Sequence, residues 1–221
     1  MDTLSKPRHR AGSHYLGYHG RPPPSRKHHP AKKPAALPEG ELIATRDGRG
    51  LMLRSIHADD VGALRRGFSG LTAEEVRMRF LHPMTELPEA LAHALCDLDP
   101  DVAIAFVLVD PPGAGTAALA GRAGLSDGAA PEIHAVARAY IDPVTLAAEF
   151  ALVVQHRYAG QGLGTLMMQR LIAACRARDA VEIWGDVLAE NGAMLELCDH
   201  LGFSRHSAFQ DPGIVRVTLV L

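Results

Sequence analysis

Cysteine, aromatic residues and long apolar runs are all scarce in this chain of 221 residues. The three cysteines, Cys96, Cys175 and Cys198, lie far apart, which excludes a disulfide framework and is typical of free thiols in a reducing cytoplasm. No apolar run approaches the ~20 residues that a membrane-spanning helix needs, and the N-terminus lacks the apolar segment of a secretory signal. We therefore expect a cytoplasmic protein that does not cross a membrane.

Motifs for metal sites and for a hydrolase nucleophile are missing as well. The spacings C-x-x-C, H-x-x-H and H-E-x-x-H do not occur, so we expect no metal site. The letters G-x-S-x-G do occur from Gly124 to Gly128, but that motif requires a helix directly after its serine. Here Pro131 and the pattern of a strand follow, which predicts a hairpin loop.

Charge is distributed unevenly along the chain, although the formal net charge is only −2. Residues 1–38 carry eight Lys or Arg side chains against one acidic residue, together with seven of the 15 prolines. Such a segment buries too little apolar surface to offset the entropy lost on ordering. We predict a disordered basic tail over 1–38 and a globular domain over 39–221. An inert extension is the favoured interpretation of the tail, and we do not expect nucleic acid as a partner.

Apolar patterns in the rest of the chain predict a fold of the α+β class. About seven strands, mostly antiparallel, are expected together with about four or five helices. Thr72 to Glu75 has the pattern of a capping box that opens a helix reaching Phe80. Pro88 is suited to the start of the next helix, and a strand is expected over 117–125.

The stretch from Glu149 to Arg176 is the most informative part of the chain. Its first residues, up to Val154, are mostly β-branched or bulky and predict a buried strand. Three glycines follow at alternate positions: Gly160, Gly162 and Gly164. A helix with apolar periodicity begins there. Backbone amides at such a turn lack partners and face the positive end of the helix dipole, so the turn is suited to a phosphate or pyrophosphate.

Three nucleotide-binding motifs compete for this loop. A Walker A loop is excluded because Thr165 follows Gly164 without the required lysine. The dinucleotide fingerprint fails because its last glycine position is also Thr165, and because so late a motif leaves no room for the remaining strands. The pattern Arg/Gln-x-x-Gly-x-Gly is met from Arg157 to Gly162, and it resembles the acetyl-CoA pyrophosphate loop of the GNAT superfamily of N-acetyltransferases. A glycine-rich turn without a ligand is the alternative.

The resemblance continues on both sides of the loop and covers about Leu42 to Leu221. Downstream, a predicted strand over Val181 to Leu188 precedes Asn191, which opens a helix, and a Gly-Phe pair closes that helix. This order is similar to the second conserved block of the same superfamily. Segments 51–60, 71–80 and 187–191 resemble a narrower group, the bacterial protein lysine acetyltransferases of the Pat type.

The resemblance implies acetyl-CoA as co-substrate and assigns its contacts. Gly160 would shape the turn, and Arg157 would add a charge-assisted bond to a phosphate. The backbone amides that would bind the pyrophosphate belong to Gln161, Gly162, Leu163, Gly164 and Thr165. Pantetheine would run beside the backbone of Leu152, Val153 and Val154. Asn191 would line the thioester end, cap the following helix, or do both.

Glu149 is the candidate general base. A carboxylate that begins an otherwise apolar strand is costly unless it is partnered or functional, and the matching glutamate of Pat-type enzymes is the proposed base. A strand-edge salt bridge is the alternative, and Glu132 and Glu190 are weaker candidates. Many GNAT enzymes carry a tyrosine as general acid where this chain has Cys198, which we interpret as a small packing residue.

The resemblance thus implies acetyl transfer from acetyl-CoA to a primary amine. A lysine side chain of a protein is the preferred acceptor, because of the Pat-like segments. A small amine such as a polyamine is the alternative acceptor. A non-catalytic acyl-CoA-binding sensor is an alternative from a different class.

Overall fold

A computed structural model describes residues 40–112, 131–207 and 213–221 of the chain. The predicted tail over 1–38, the strand over 117–125 and the loop over 124–128 lie outside these residues. Within them, eight strands form one sheet and five α-helices pack on its two faces. The predicted α+β class is confirmed, with one strand more than expected.

The strands are β1 Glu41–Ala44, β2 Gly50–Ser55, β3 Ala103–Val109, β4 Ile133–Ile141, β5 Ala147–Val154, β6 Glu182–Leu188, β7 Ser204–Ser207 and β8 Ile214–Val220. Their order in the sheet is β1-β2-β3-β4-β5-β6-β8-β7. Neighbouring strands are antiparallel except for β5 and β6, which are parallel. The sheet is therefore an antiparallel meander up to β5, followed by a parallel crossover to β6 and by a second connection from β6 to β7, with β8 lying between these two strands.

The helices are α1 Val61–Ser69, α2 Ala73–Phe80, α3 Glu89–Cys96, α4 Leu163–Arg176 and α5 Gly192–His200. The predicted capping box of α2 is present, because the Glu75 amide donates to the Thr72 hydroxyl at 3.1 Å and the Thr72 amide donates to the Glu75 carboxylate at 2.6 Å. α3 begins directly after Pro88. Across the described ranges, none of the helices has both the length and the apolar character needed to cross a membrane.

Alternation of side chains along β4 separates two apolar cores. Ala135, Ala137 and Ala139 belong to the core that contains α4 and α5, and their small size lets α4 approach the sheet closely. Val136 belongs to the second core, with α1, α2 and α3. The helices thus divide between the two faces of the sheet, α1 to α3 on one and α4 and α5 on the other.

β5 and β6 pair over only three residues, and Glu149 opposite Trp184 is the last pair. Beyond it, β5 continues to Val154 with β4 as its described ladder partner. The ring of Phe150 lies against Gly185 at the first unpaired position, where a Cβ on the glycine would lie 2.7 Å from Phe150 Cε1. The two strands therefore diverge and leave an opening toward the carboxyl end of β5.

Gly67 of α1 is expected to tolerate no side chain. A Cβ at this position would lie 2.7 Å from the carbonyl oxygen of Ile133 in β4. We expect Gly67→Ala to lower the free energy of unfolding by about 1–3 kcal/mol, the usual cost of overpacking. This loss should exceed the gain of about 1 kcal/mol that alanine brings to a helix. Urea unfolding followed by circular dichroism measures the change.

Gly62 in the same helix is the matched control. A Cβ there would meet only Nη1 of the flexible Arg66 side chain, at 3.4 Å. We expect Gly62→Ala to be neutral or stabilising. Equal effects of the two substitutions would contradict the close packing of α1 against β4.

Candidate active site

The glycine-rich loop joins β5 to α4. After β5 the chain makes one 3-10 turn over His156–Tyr158. Gly160 and Gly162 then adopt φ angles of 72° and 78°, in the left-handed region that favours glycine. Within the described part of the chain, the backbone amides of residues 161–165 have no hydrogen-bond acceptor. A row of N–H donors is thus available at the positive end of α4.

The surroundings of these amides fit a pyrophosphate group. A Cβ built on Gly160 would meet nothing within 4 Å, so the space beside the turn is open. Oε1 of Gln161 is buried without a partner among the described residues, but as an acceptor it requires a donor and cannot bind a phosphate oxygen. Gly164 lets the start of α4 pack closely on its neighbours, because a Cβ there would lie 3.4 Å from Leu197 Cδ2 and 3.7 Å from Leu152 Cδ2. The predicted loop residues thus lie together at the N-terminus of α4.

Two arginines lie near the loop in different situations. Arg157 is ion-paired with Glu132, and its Nε donates to Oε1 of Gln155 at 2.9 Å. Arg46, in the turn between β1 and β2, donates from Nη1 to the carbonyl oxygen of Gly160 at 3.0 Å. The charge of Arg157 already has a carboxylate partner, whereas Arg46 brings a guanidinium directly against the glycine turn.

Glu149 lies at the point where β5 and β6 separate. It is partly buried, and it stands opposite Tyr140 on β4 and Trp184 on β6. Its negative charge acts on the guanidinium groups of Arg79 and Arg216. The carboxylate therefore sits at the base of the opening with cationic groups around it.

α2 is held over this opening from both sides. The Glu75 carboxylate accepts a hydrogen bond from the His156 amide, just after β5. The Arg77 guanidinium forms an ion pair with Glu190, just after β6. These two anchors fix α2 against β5, so the last turn of α2 brings Arg79 toward Glu149.

The charges around the opening are mixed rather than uniformly acidic. Burial lowers the pKa of Arg79 to about 9, and the charge of Glu149 partly offsets this effect. A hydrogen bond to Asp186 raises the pKa of Arg216, with 2.7 Å between Nη2 and Oδ2. The Arg216 guanidinium also lies 4.2 Å from the centroid of the Trp184 ring. The opening thus combines a carboxylate, an aromatic ring and several guanidinium groups.

Asn191 and Cys198 both belong to the α5 segment. Oδ1 of Asn191 accepts a hydrogen bond from the Met194 amide at 3.1 Å, so the predicted capping role is confirmed. Cys198 has 0% exposed surface, and burial raises the pKa of its thiol to about 11. A side chain without accessible surface packs in the core and does not reach a ligand. These contacts support the packing interpretation of Cys198.

Sequence reasoning did not identify Arg46 or Arg216 as neighbours of the site. Arg46 contacts a carbonyl 114 positions away in the chain, and Arg216 pairs with an aspartate 30 positions away. The Asp47-Gly48 pair beside Arg46 is a hairpin signal, but it gives no link to the loop. Among the residues described, no cluster of three or more His, Cys, Asp or Glu side chains is placed to hold a metal ion.

Comparison with known proteins agrees with this geometry. The model of the acetyltransferase (GNAT) family matches residues 85–203, which is more than half of the chain. Acetyltransferase PA5475 of Pseudomonas aeruginosa is 28% identical over 157 residues, covering 71% of this chain and 76% of that protein.

Solved structures show the same fold. The GNAT domain of S. lividans PAT superposes with a TM-score of 0.67 and 21% identity, covering 82% of this chain and 97% of that chain. RimL, a ribosomal L7/L12 alpha-N-protein acetyltransferase in complex with coenzyme A, superposes with a TM-score of 0.57 and 13% identity, covering 82% and 98%. The family match and the assembled loop lead to one conclusion: the chain belongs to the GNAT family of acetyltransferases and is an acetyl-CoA-dependent N-acetyltransferase.

Proposed function

We propose that this N-acetyltransferase acetylates a lysine side chain of a protein, with Glu149 as general base. The proposal depends chiefly on the position of Glu149 at the last pair between β5 and β6. The carboxylate is thereby at one end of the opening, and the glycine-rich loop is at the other end of β5.

The opening and the loop are suited to the two ends of acetyl-CoA. The amides of residues 161–165 would hold the pyrophosphate, with Gly160 and Gly162 shaping the turn. Pantetheine would lie beside Leu152, Val153 and Val154, where β5 has no ladder partner in β6. Arg46 is already against the loop, whereas Arg157 would exchange its ion pair with Glu132 for a phosphate. When bound, acetyl-CoA supplies the activated acetyl group.

Glu149 would accept a proton from the incoming ammonium group, directly or through water. The neutral amine then forms a C–N bond with the acetyl carbon as the C–S bond breaks. The departing thiolate needs no protein acid, since a thiol of CoA type is acidic, with a pKa of ~8.5. Cys198, whose thiol pKa burial raises to about 11, would be a poor proton donor to it. Asn191 would remain near the thioester end while capping α5.

The charges around the opening support a protein acceptor over a polyamine. Arg77 and Arg216 are ion-paired with Glu190 and Asp186, and the charge of Glu149 acts on Arg79. The acids around the opening are thus largely balanced by guanidinium groups and leave no acidic cleft to attract a polycation, whereas one lysine side chain brings a single ammonium to Glu149. The likeness to the GNAT domain of S. lividans PAT points in the same direction.

Release of CoA thiol tests the proposal. Purified protein with acetyl-CoA should release thiol with a lysine-bearing protein such as acetyl-CoA synthetase, and should release little with polyamines. Glu149→Gln should reduce this turnover by about 10²–10⁴-fold while leaving the Kd for acetyl-CoA unchanged. Glu74→Gln, on the exposed side of α2, is the matched control and should keep full activity.

Each other outcome identifies a different error. Thiol release with small amines alone would exclude the protein acceptor. Full activity of Glu149→Gln would exclude Glu149 as the base. Acetyl-CoA binding with no release to any acceptor would favour a non-catalytic sensor.

Gly162→Ala tests the pyrophosphate site. Alanine disfavours the φ of 78° found at this position by about 1–2 kcal/mol, so the loop amides should shift. We expect the Kd for acetyl-CoA, measured by calorimetry, to rise about tenfold. Gly192→Ala is the control, because a Cβ there would meet nothing within 4 Å and its φ is not positive. An unchanged Kd for Gly162→Ala would place the pyrophosphate elsewhere.

Cys198→Ala tests the absence of a protein acid. Because burial raises the thiol pKa to about 11, the group stays protonated at neutral pH and its removal should not alter the pH profile of kcat. We expect kcat to change by less than about twofold. Cys175→Ala is the matched control, since that thiol is equally buried, with a pKa of about 12. If the fall of kcat at high pH disappeared in Cys198→Ala but not in Cys175→Ala, Cys198 would be the general acid.

A further inference from the structure

A pocket separate from the glycine-rich loop lies between α1, α2, α3 and the sheet. Its cavity volume is about 40 Å³, and the pocket is partly open to solvent. Most of its lining is apolar, with side chains that include Leu64, Phe68, Leu87, Leu95, Val136 and Val153. Small-molecule sites are typically of this kind, with few polar groups in an apolar wall.

Two guanidinium groups line this pocket, those of Arg138 from β4 and Arg79 from α2. Arg138 is only 7% exposed. Its hydrogen bond goes to the carbonyl oxygen of Leu95. In residues 40–112, 131–207 and 213–221, no carboxylate forms an ion pair with either arginine. Buried charges are normally paired, because leaving one uncompensated is costly.

The other polar groups of the lining are already engaged. His134 lies 2.8 Å from Oδ1 of Asp110 through its Nε2. Nε2 of Gln155 donates to the carbonyl oxygen of Gly67 at 3.1 Å. The uncompensated charge of the pocket is therefore chiefly that of Arg138. Arg79 is partly buried and its guanidinium lies 4.7 Å from the centroid of the Phe80 ring, so it adds a second, partly compensated positive charge.

Burial lowers the pKa of Arg138 to about 10 and that of Arg79 to about 9. For Arg79, the nearby charge of Arg138 lowers the pKa further, and Glu149 partly offsets this. Both groups remain cationic at neutral pH. The two positive charges thus repel each other, and an anion bound between them would relieve this repulsion.

We propose that this pocket binds a small carboxylate with an apolar body, such as a medium-length aliphatic or an aromatic carboxylate. The carboxylate would pair with Arg138 and Arg79, since the guanidinium fork matches two carboxylate oxygens. The body would lie among the apolar side chains. A phosphate fits less well, because its additional oxygens would find no free donors in the apolar wall.

The proposal does not depend on the identity of the acceptor, and the pocket lining includes no residue of the loop over 156–165. Arg79 connects it to the active site, since it lines the pocket and also responds to the charge of Glu149. A bound carboxylate would compete with Glu149 for the charge of Arg79. Occupancy would therefore alter the electrostatics of the opening.

Calorimetry on the full chain tests the proposal with hexanoate and benzoate as probes. Hexanamide and benzamide are the matched neutral compounds, and acetate lacks the apolar body. We expect each larger carboxylate to bind at least about tenfold more tightly than its amide and than acetate. Binding of the amides with equal affinity would overturn the proposal, as would the absence of carboxylate binding.

Two substitutions locate the site. Arg138→Met keeps a long side chain but removes the charge, and Val136→Phe fills the pocket while keeping both arginines. Each should abolish carboxylate binding and leave the Kd for acetyl-CoA unchanged. Arg65→Met, at an arginine of α1 whose side chain is 46% exposed, should bind carboxylates normally.

The two variants do not depend on the same contacts. If Arg138→Met does not fold because its hydrogen bond to Leu95 is lost, Val136→Phe still tests whether the carboxylate binds in this pocket. Carboxylate binding that survives in a folded variant of either kind would overturn the proposal. The comparison of carboxylate with amide in the unaltered protein decides by itself if neither variant folds.

Discussion

The parallel contact between β5 and β6 is the constraint on which the rest of the structure depends. All other neighbouring strands are antiparallel. A parallel pair needs a crossover, and α4 supplies it on one face of the sheet. The crossover puts the glycine-rich loop and the α4 N-terminus at the carboxyl end of β5. Because the pairing of β5 with β6 stops at Glu149, the opening between the two strands begins at this residue.

Ion pairs and hydrogen bonds between distant segments then determine how α2 lies over the opening near Glu149. Glu75 and Arg77 fasten α2 to the chain after β5 and after β6, and this places Arg79 in partly buried surroundings. Guanidinium groups thus converge on one carboxylate, Glu149, while Asp186 neutralises Arg216. The same helix forms one wall of the second pocket. α2 therefore connects the charged groups around Glu149 to the second pocket.

Much of the fold and of the cofactor loop could be predicted because the signals are local. Positive φ at Gly160 and Gly162 follows from glycine in a tight strand-to-helix turn. The capping box at Thr72 and the cap at Asn191 follow from short side chains placed three residues before an amide. Arg157 was predicted beside the loop as well, but its ion pair with Glu132 depends on β4 and had no local signal.

By itself, the sequence determined where most of the helices and strands form, which turn offers free amides, and which carboxylate lies in the central strand, although β5 begins two residues before Glu149, at Ala147. Backbone preferences and apolar periodicity act over a few residues, so they can be read along the chain. Only the tertiary structure decided that Arg46 meets Gly160, 114 residues away, and that Arg79 and Arg138 share a pocket. It also decided that Cys198 is packed out of reach. Charge pairing and burial depend on distances between segments that are remote in sequence, and these distances exist only once the sheet has formed.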